Sequence, residues 1–358
     1  MTFMPVKKKK VRITSLDRMR SLAILCIVSS HTVTRVTELS SNMGPLAFYW
    51  WWFFRLVTTT GTPIFMFLSA YLLSYAYPDG LPPLFFKKRF RYIGLPYLSM
   101  GLVYALVMIF EGPEGGFSTF LRYLAKNWVF GFYRHGYFLL VILQGFLYYH
   151  FFSRRLFALG AKKLLWLALL LNLTFLGFFN FVPPPEVSWG PLLWRGLRWG
   201  AFPSWIFYFH LGLMAGDPKN NTLEWITTHL VEIRLAFVIS MLGLLAVYTA
   251  GWILENDSKR IDLFLFASTA IPLLYRWAHL HDTTSSILTF LSRYSFGIYL
   301  IHMIFLALGE ALFHSFDFSF KPLSLYLLLF IGSIALSILM TRLISRLPLG
   351  YCLVGKTE

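Results

Sequence analysis

An arginine and a histidine eleven residues apart in an otherwise apolar run are the side chains of this sequence best suited to chemistry. The segment reads Asp17-Arg18-Met19-Arg20-Ser21-Leu22-Ala23, continues through Ile24 to Ser30 and reaches His31. On an α-helix that spacing is about 1100° of rotation, within ~20° of three full turns, with a rise of about 16 Å. Arg20 and His31 therefore project from one face, and Glu38, seven residues further on, falls on the same stripe. A guanidinium offers phosphate a fork of donors, and a neutral imidazole in a low-dielectric site suits general-base work. Together they describe a passage with a cation at its mouth and a base deep inside. The plainer alternative is that Arg20 snorkels to lipid headgroups and His31 bonds a neighbouring helix.

Composition says what kind of elements must position them. Of 358 residues, 57% are apolar and only 13% charged, with 37 Phe and 12 Trp, against ~45–50% apolar and ~25% charged in soluble domains. No soluble core hides that much apolar surface behind so few charges, so lipid is the solvent. The expected fold is all-α, a polytopic integral membrane protein of about ten transmembrane helices in the cell membrane. Apolar runs place the spans near 19–36, 57–77, 93–110, 137–152, 164–182, 201–216, 232–254, 261–278, 294–313 and 322–341, the fourth and sixth being short.

The net charge of +16 would suggest nucleic acid in a soluble protein; here it reads first as membrane orientation. With the N-terminus inside, Lys7–Lys10, Arg12, Arg18, Arg20, the Lys87–Arg91 cluster, Arg154, Arg155, Lys162, Lys163, Lys219, Arg234, Arg276, Arg293, Arg342, Arg346 and Lys356 share one side. That is roughly two-thirds of all Lys and Arg, and the positive-inside rule makes both termini cytoplasmic. Residues 1–18 form a basic cytoplasmic segment. The apolar run after them is flanked by Arg18 and Arg20 and lacks a small-residue cleavage site, so it is read as an anchor rather than a signal peptide. One transmembrane domain is expected over 1–358, with no appended soluble domain. Cys26 and Cys352 suggest neither a disulfide framework nor a metal site, and Asn220-Asn221-Thr222, a glycosylation sequon, falls on the cytoplasmic side.

Asp17-x-x-Arg20-Ser-Leu-Ala, followed by ten residues and His31, resembles the arginine-ten-histidine motif of the membrane acyltransferase-3 family. Further strings agree in order along nearly the whole chain. Gly61-Thr-Pro63-Ile-Phe-Met-Phe-Leu-Ser69-Ala-Tyr71-Leu-Leu is similar to the family's second helix. Phe86-Lys87-Lys88-Arg89-Phe90-Arg91-Tyr92-Ile93-Gly94-Leu95-Pro96-Tyr97 is similar to its basic loop and the helix start that follows. His135-Gly-Tyr137-Phe138-Leu139 through Gln144 resembles its fourth helix, Trp205 to Gly212 its sixth, and Tyr294 to His302 its ninth. Departures exist: Tyr92 stands where the loop's Arg-x-x-Arg pattern has its second arginine, Ala70 replaces a glycine, and Tyr137 a tryptophan. Within the family, Gly61-Thr62-Pro63, Tyr77-Pro78 and Tyr137-Phe138 most resemble the intercellular-adhesin C-type members of poly-N-acetylglucosamine biosynthesis.

The resemblance implies an O-acyltransferase moving an acetyl or succinyl group from cytoplasmic acyl-CoA to a hydroxyl of a cell-surface polysaccharide, with poly-N-acetylglucosamine the first candidate. No tightly bound cofactor or metal is expected; the partners are the bilayer, acyl-CoA, the polysaccharide and its synthase. His31 and Arg20 are the expected catalytic pair, and Arg20, Lys87, Lys88, Arg89 and Arg91 the donor-phosphate residues, although the 87–91 cluster also serves as a topogenic signal. Glu38, Ser69, His135, Tyr137, Gln144, His302 and Glu310 are candidates for the acceptor side or the pocket wall. For several, a second reading stays open: Ser69 as helix packing, His135 as a cap, His302 as structural, Glu310 as an interface residue. Trp50-Trp51-Trp52 and the Trp189–Trp199 region read as an interfacial belt or a surface for sugar stacking. The rival functions are a polysaccharide exporter or flippase, using the same polar residues as a pathway, and a non-catalytic scaffold for a synthase.

Overall fold

The computed structural model describes residues 13–40, 43–78, 80–112, 115–281, 285–316 and 321–356, and 153–158 and 316 by backbone only. Lys7–Lys10 and Arg12 of the basic segment, and the side chains of Arg154 and Arg155, lie outside the described residues. No strand occurs among the described residues. The order is α1 (Thr14–Leu39), α2 (Pro45–Thr58), α3 (Gly61–Ala76), α4 (Phe85–Arg89), a π-turn (Phe90–Gly94), α5 (Leu95–Glu111), α6 (Phe117–Phe130), α7 (Tyr137–Ala158), α8 (Ala161–Phe181) and α9 (Gly190–Gly200). There follow a 3₁₀ turn (Phe202–Trp205), α10 (Ile206–Gly216), α11 (Thr222–Thr228), α12 (Leu230–Ala250), α13 (Ile261–Leu280), α14 (Ser286–Phe316), α15 (Pro322–Ser345) and α16 (Tyr351–Val354).

Each of the ten expected spans is helical. Eight helical stretches among the described residues are long and apolar enough to cross a membrane. The fourth and sixth expected spans, α7 with its apolar Tyr137–Phe152 run and the short α10, are not among them. Three connections hold more structure than their composition suggested. The long ones at 111–136 and 183–199 contain α6 and α9, too short and too charged to read as spans. The basic Lys87–Arg91 segment is helical rather than a loop, and joins α5 through the π-turn. Pro96 explains that turn: it lacks an N–H and its ring crowds the carbonyl four residues back, that of Tyr92, so the helix widens there instead of breaking.

α1 is the hub and packs against α2, α3, α13, α14 and α15. Its polar residues are enclosed: Arg18 donates to the Ala278 carbonyl in the last turn of α13, and Asp17 accepts from Ser292 Oγ at 2.6 Å. The outward faces of α8, α12 and α15 expose Leu170, Leu235, Ile239, Leu242, Leu327, Ile331 and Leu339, a surface only lipid solvates without cost. Where the chain is non-helical, buried or half-buried amides close backbone hydrogen bonds. Gln144 donates to Gly200 O and accepts from Phe202 N. Asn172 does the same for Ser204 and Phe207, and Asn180 for Lys259 and Ile261. In a medium without water each such group left open costs several kcal/mol, roughly, so these amides are what make the breaks possible.

α3 and α10 pack backbone to backbone. A Cβ on Gly212 would lie 2.3 Å from the Phe67 carbonyl, and one on Gly216 2.3 Å from that of Tyr71. Gly212→Leu should therefore lower the thermal unfolding midpoint of the purified protein, at a cost of about 1–3 kcal/mol or more. Gly243→Leu, on the lipid-facing side of α12 with nothing within 4 Å, should leave the midpoint nearly unchanged.

Candidate active site

α1 carries its two chemical residues to two different cavities. His31 lines one of about 410 Å³, together with Arg55, Lys126, Arg134, His135, Tyr137, Arg195, Trp199 and Asp257. Arg20 lines a second of about 360 Å³, with Ser69, Arg89, Tyr92, Arg293, Ser295 and Lys356. Phe138 and Tyr299 line both, so the cavities meet at these two rings. The single passage expected from the helical spacing is divided: Arg20 and His31 lie on one helix, but one on each side of an aromatic partition.

His31 belongs to a cluster of three imidazoles. Its ring centroid lies 5.4 Å from that of His302 and 6.1 Å from that of His135, and the latter two are 5.1 Å apart. His302 sits mid-way along α14, and its Nδ1 faces the carbonyls of Ile298 and Tyr299 at 2.9 and 3.0 Å. Donation to them assigns the proton to Nδ1 and leaves Nε2 as the basic nitrogen. His135 comes from the connection between α6 and α7. That connection folds back sharply: Gly131 has φ +96°, and a Cβ there would meet Tyr137 N at 2.2 Å. Tyr299 Oη anchors it by donating to the His135 carbonyl at 2.5 Å. The ring of the buried His135 faces the backbone of Tyr299 and Leu300. No group of three or more His, Cys, Asp or Glu among the described residues is arranged to hold a metal ion.

Further along α1, Arg35 organises the carboxylates. It is buried and pairs with Glu310, with Glu38 at 3.4 Å and with Glu111 at 3.9 Å. It also donates to Tyr133 Oη at 2.7 Å, which in turn bonds Glu111 at 2.8 Å. Glu38 and Glu310 thus serve this network and line neither cavity. Arg55 of α2 donates through Nε to Thr34 Oγ1 at 2.7 Å and through Nη1 to Asn256 Oδ1 at 2.9 Å. Neither arginine stands out in the sequence, although Arg35 is one turn beyond His31. Both fall at the margins of the first two apolar runs, where a cation reads as topology.

The other candidates divide. Of the 87–91 cluster only Arg89 lines the Arg20 cavity, held between the Phe85 and Phe146 rings at 5.0 and 5.1 Å. Lys87, Lys88 and Arg91 are exposed, and Arg91 lies over Tyr351. Arg293 and Lys356, weighed only as topological charges, join Arg20 and Arg89 there. Ser69 lines this cavity too, its hydroxyl donating to the Phe65 carbonyl at 2.8 Å. Gln144 is a backbone clamp rather than a cavity residue. Tyr137 borders the His31 cavity, bonds Ser258 at 3.2 Å and meets Trp199 edge to face at 5.0 Å. Its ring also faces the buried Lys259, whose Nζ lies 3.3 Å from the Trp205 ring centre; burial pushes that ammonium well below its ordinary pKa. Of the candidate tryptophans Trp199 alone lines either cavity, while Trp51 packs on Tyr326 and Trp52 under Arg55.

The fold is an all-helical membrane bundle with two cavities, lined by Arg20 and by His31, that meet at Phe138 and Tyr299. A family model described as "Acyltransferase domain" matches residues 13–342, and the chain belongs to that acyltransferase-3 family; it is a membrane-bound acyltransferase. It is 29% identical over 350 residues to "Putative membrane-bound acyltransferase YfiQ" of Bacillus subtilis, covering 97% of this chain and 95% of the relative. It is 26% identical over 308 residues to "Probable poly-beta-1,6-N-acetyl-D-glucosamine export protein" of Staphylococcus aureus strain MSSA476, covering 83% of each. The Staphylococcus epidermidis protein of the same name is 26% identical over 311 residues, covering 84% of this chain and 82% of the relative. No solved structure matches.

Arg35 holds carboxylates that are themselves 25–41% exposed, so the network is only partly desolvated. Arg35→Gln, which leaves Glu310 without its cation while Glu38 keeps Arg134 and Glu111 keeps Tyr133, should cost roughly 1–3 kcal/mol. Glu310→Gln, which leaves Arg35 its remaining partners, should cost less than about 1 kcal/mol. Thermal unfolding of the purified variants checks the order.

Proposed function

We propose that the protein O-acylates a cell-surface polysaccharide, using acyl-CoA as donor and His31 as general base. The observation that carries this reading is that Arg20 and His31 open on two cavities meeting at Phe138 and Tyr299. Arg20, Arg89, Arg293 and Lys356 form a cation-lined cavity suited to the donor's phosphates. The pantetheine arm then runs along α1, over a rise of about 16 Å, and brings its thioester to the partition. Both termini are taken as cytoplasmic, which puts the Arg20 cavity on the side where acyl-CoA is made and the His31 cavity on the outer side.

The acceptor hydroxyl enters the His31 cavity and gives its proton to the imidazole as its oxygen attacks the thioester carbonyl. The tetrahedral intermediate collapses with cleavage of the C–S bond. The imidazolium returns the proton to the departing thiolate, leaving an ester outside and free CoA inside. His302 and His135, in ring contact with His31, hold the imidazole in place. The acyl group is acetyl or succinyl, and poly-β-1,6-N-acetylglucosamine is the first acceptor to test, because relatives carry that glycan in their names. Those same names favour a second reading, export of the glycan, in which the polar residues line a pathway. It predicts glycan entry into vesicles without any acyl donor.

Reconstitution of the full chain with labelled acetyl-CoA or succinyl-CoA and a panel of glycans tests the proposal. His31→Ala should lower label transfer at least ~100-fold, the usual worth of a general base. Arg20→Gln and Arg89→Gln should chiefly raise the KM for acyl-CoA. Transfer that survives His31→Ala intact would sink the mechanism, and glycan uptake without donor would favour export.

A further inference from the structure

The cavity around His31 carries positive charge that acyl transfer to a neutral sugar does not require. Arg55, Lys126, Arg134 and Arg195 line it, and Asp257 is the one carboxylate among its lining residues. That carboxylate is taken by Arg198 at 3.1 Å, and Arg134 is paired with Glu38 at 3.3 Å. Arg55, Lys126 and Arg195 have no carboxylate within ion-pair distance among the described residues. They come from three separate helices, α2, α6 and α9, which converge on one opening.

The cations are also graded in depth. Lys126 and Arg195 are exposed at the mouth, whereas Arg55 is half-buried and fixed by Thr34 and Asn256. The same cavity reaches the buried His135. Trp199 and Tyr137 line the same cavity edge to face and offer the apolar face of a sugar ring a surface. A neutral glycan would satisfy the aromatic pair and give the three cations, of which Arg55 is half-buried, no anionic partner. A phosphate would accept their donors through charge-assisted bonds and be drawn in by the focused field.

We infer that the acceptor is a phosphate-bearing saccharide, its phosphate held by Arg55, Lys126 and Arg195 while a hydroxyl of the sugar reaches His31. The inference rests on the reading of the His31 cavity as the acceptor side. The phosphate belongs either to a phosphodiester in the polymer backbone or to a diphosphate tying the saccharide to a lipid carrier.

Binding is measured first, without donor, on the full chain in phosphatidylcholine nanodiscs. The probes are a glycerol-phosphate hexamer, a polyprenyl-diphosphate-linked disaccharide and a neutral β-1,6-linked N-acetylglucosamine hexamer. At least one phosphate-bearing probe should bind about tenfold tighter than the neutral one, as charge-assisted hydrogen bonds imply, and the tighter of the two identifies the source of the phosphate. The advantage should shrink as salt rises and be largely lost in the exposed double variant Lys126→Gln/Arg195→Gln. Equal affinity for the neutral hexamer, or an advantage untouched by salt and by the double variant, overturns the inference. Adding labelled acyl-CoA separates the two readings. Selective phosphate binding without transfer to any probe would refute the acyltransfer mechanism and keep the anionic site; transfer to charged and neutral probes with equal KM would do the reverse.

Discussion

Burying charge in a medium without water is the constraint on which this architecture depends. α1 places Asp17, Arg18, Arg20, His31 and Arg35 on a helix that lipid cannot solvate. Such a helix is stable only if other helices enclose it and supply partners. The bundle does so: α13 offers a terminal carbonyl to Arg18, α14 a hydroxyl to Asp17 and a carboxylate to Arg35, and α5 a second carboxylate through Tyr133. Enclosing α1 and building the site are therefore one act of packing. The residues left for chemistry are those whose surroundings are cavities.

The same constraint accounts for the irregular backbone. A closed bundle of straight helices has no room for substrates near the middle of its depth, so the cavity walls are made where helices stop. Chain breaks near 131–136, 200–205 and 251–260 all lie around the His31 cavity or directly behind it. Each would expose unpaired N–H and C=O groups, and Asn127, Gln144, Asn172 and Asn180 answer them from neighbouring helices. These amides resemble active-site polar residues in sequence, since both kinds are costly in lipid. Only the bonds they make tell a clamp from a ligand. Gln144, a candidate for the pocket wall in the sequence, is a clamp by the bonds it makes to Gly200 and Phe202.

Much of the fold was legible beforehand. Ten apolar runs became helices at the expected places, because hydrophobic length in a bilayer leaves one backbone solution. The placement of Arg20 and His31 along one helix was legible too, since periodicity is a local property and eleven residues return a side chain to the same face. What escaped notice was of two kinds. Short amphipathic helices such as α6 and α9 carry charge and glycine, so they read as loops although they wall a cavity. Cations at the ends of apolar runs read as orientation signals whether or not they also serve a site. Arg55, Arg293 and Lys356 are of that kind, while Lys87 and Lys88 are exposed outside the Arg20 cavity.

Sequence alone determined that the chain is a helical membrane protein with a polar seam on its first helix, because hydropathy and helical pitch need no knowledge of neighbours. It also identified Arg20 and His31 as the pair to follow. Tertiary structure decided the rest. It divided that seam into two cavities with Phe138 and Tyr299 between them, and gathered His135 and His302 around His31 from 104 and 271 residues away in the chain. It also sorted buried polar groups into clamps, ion pairs and lining residues. The reason is physical: an intramembrane polar side chain signals only that it has a partner, and which partner is settled by packing between helices far apart in sequence.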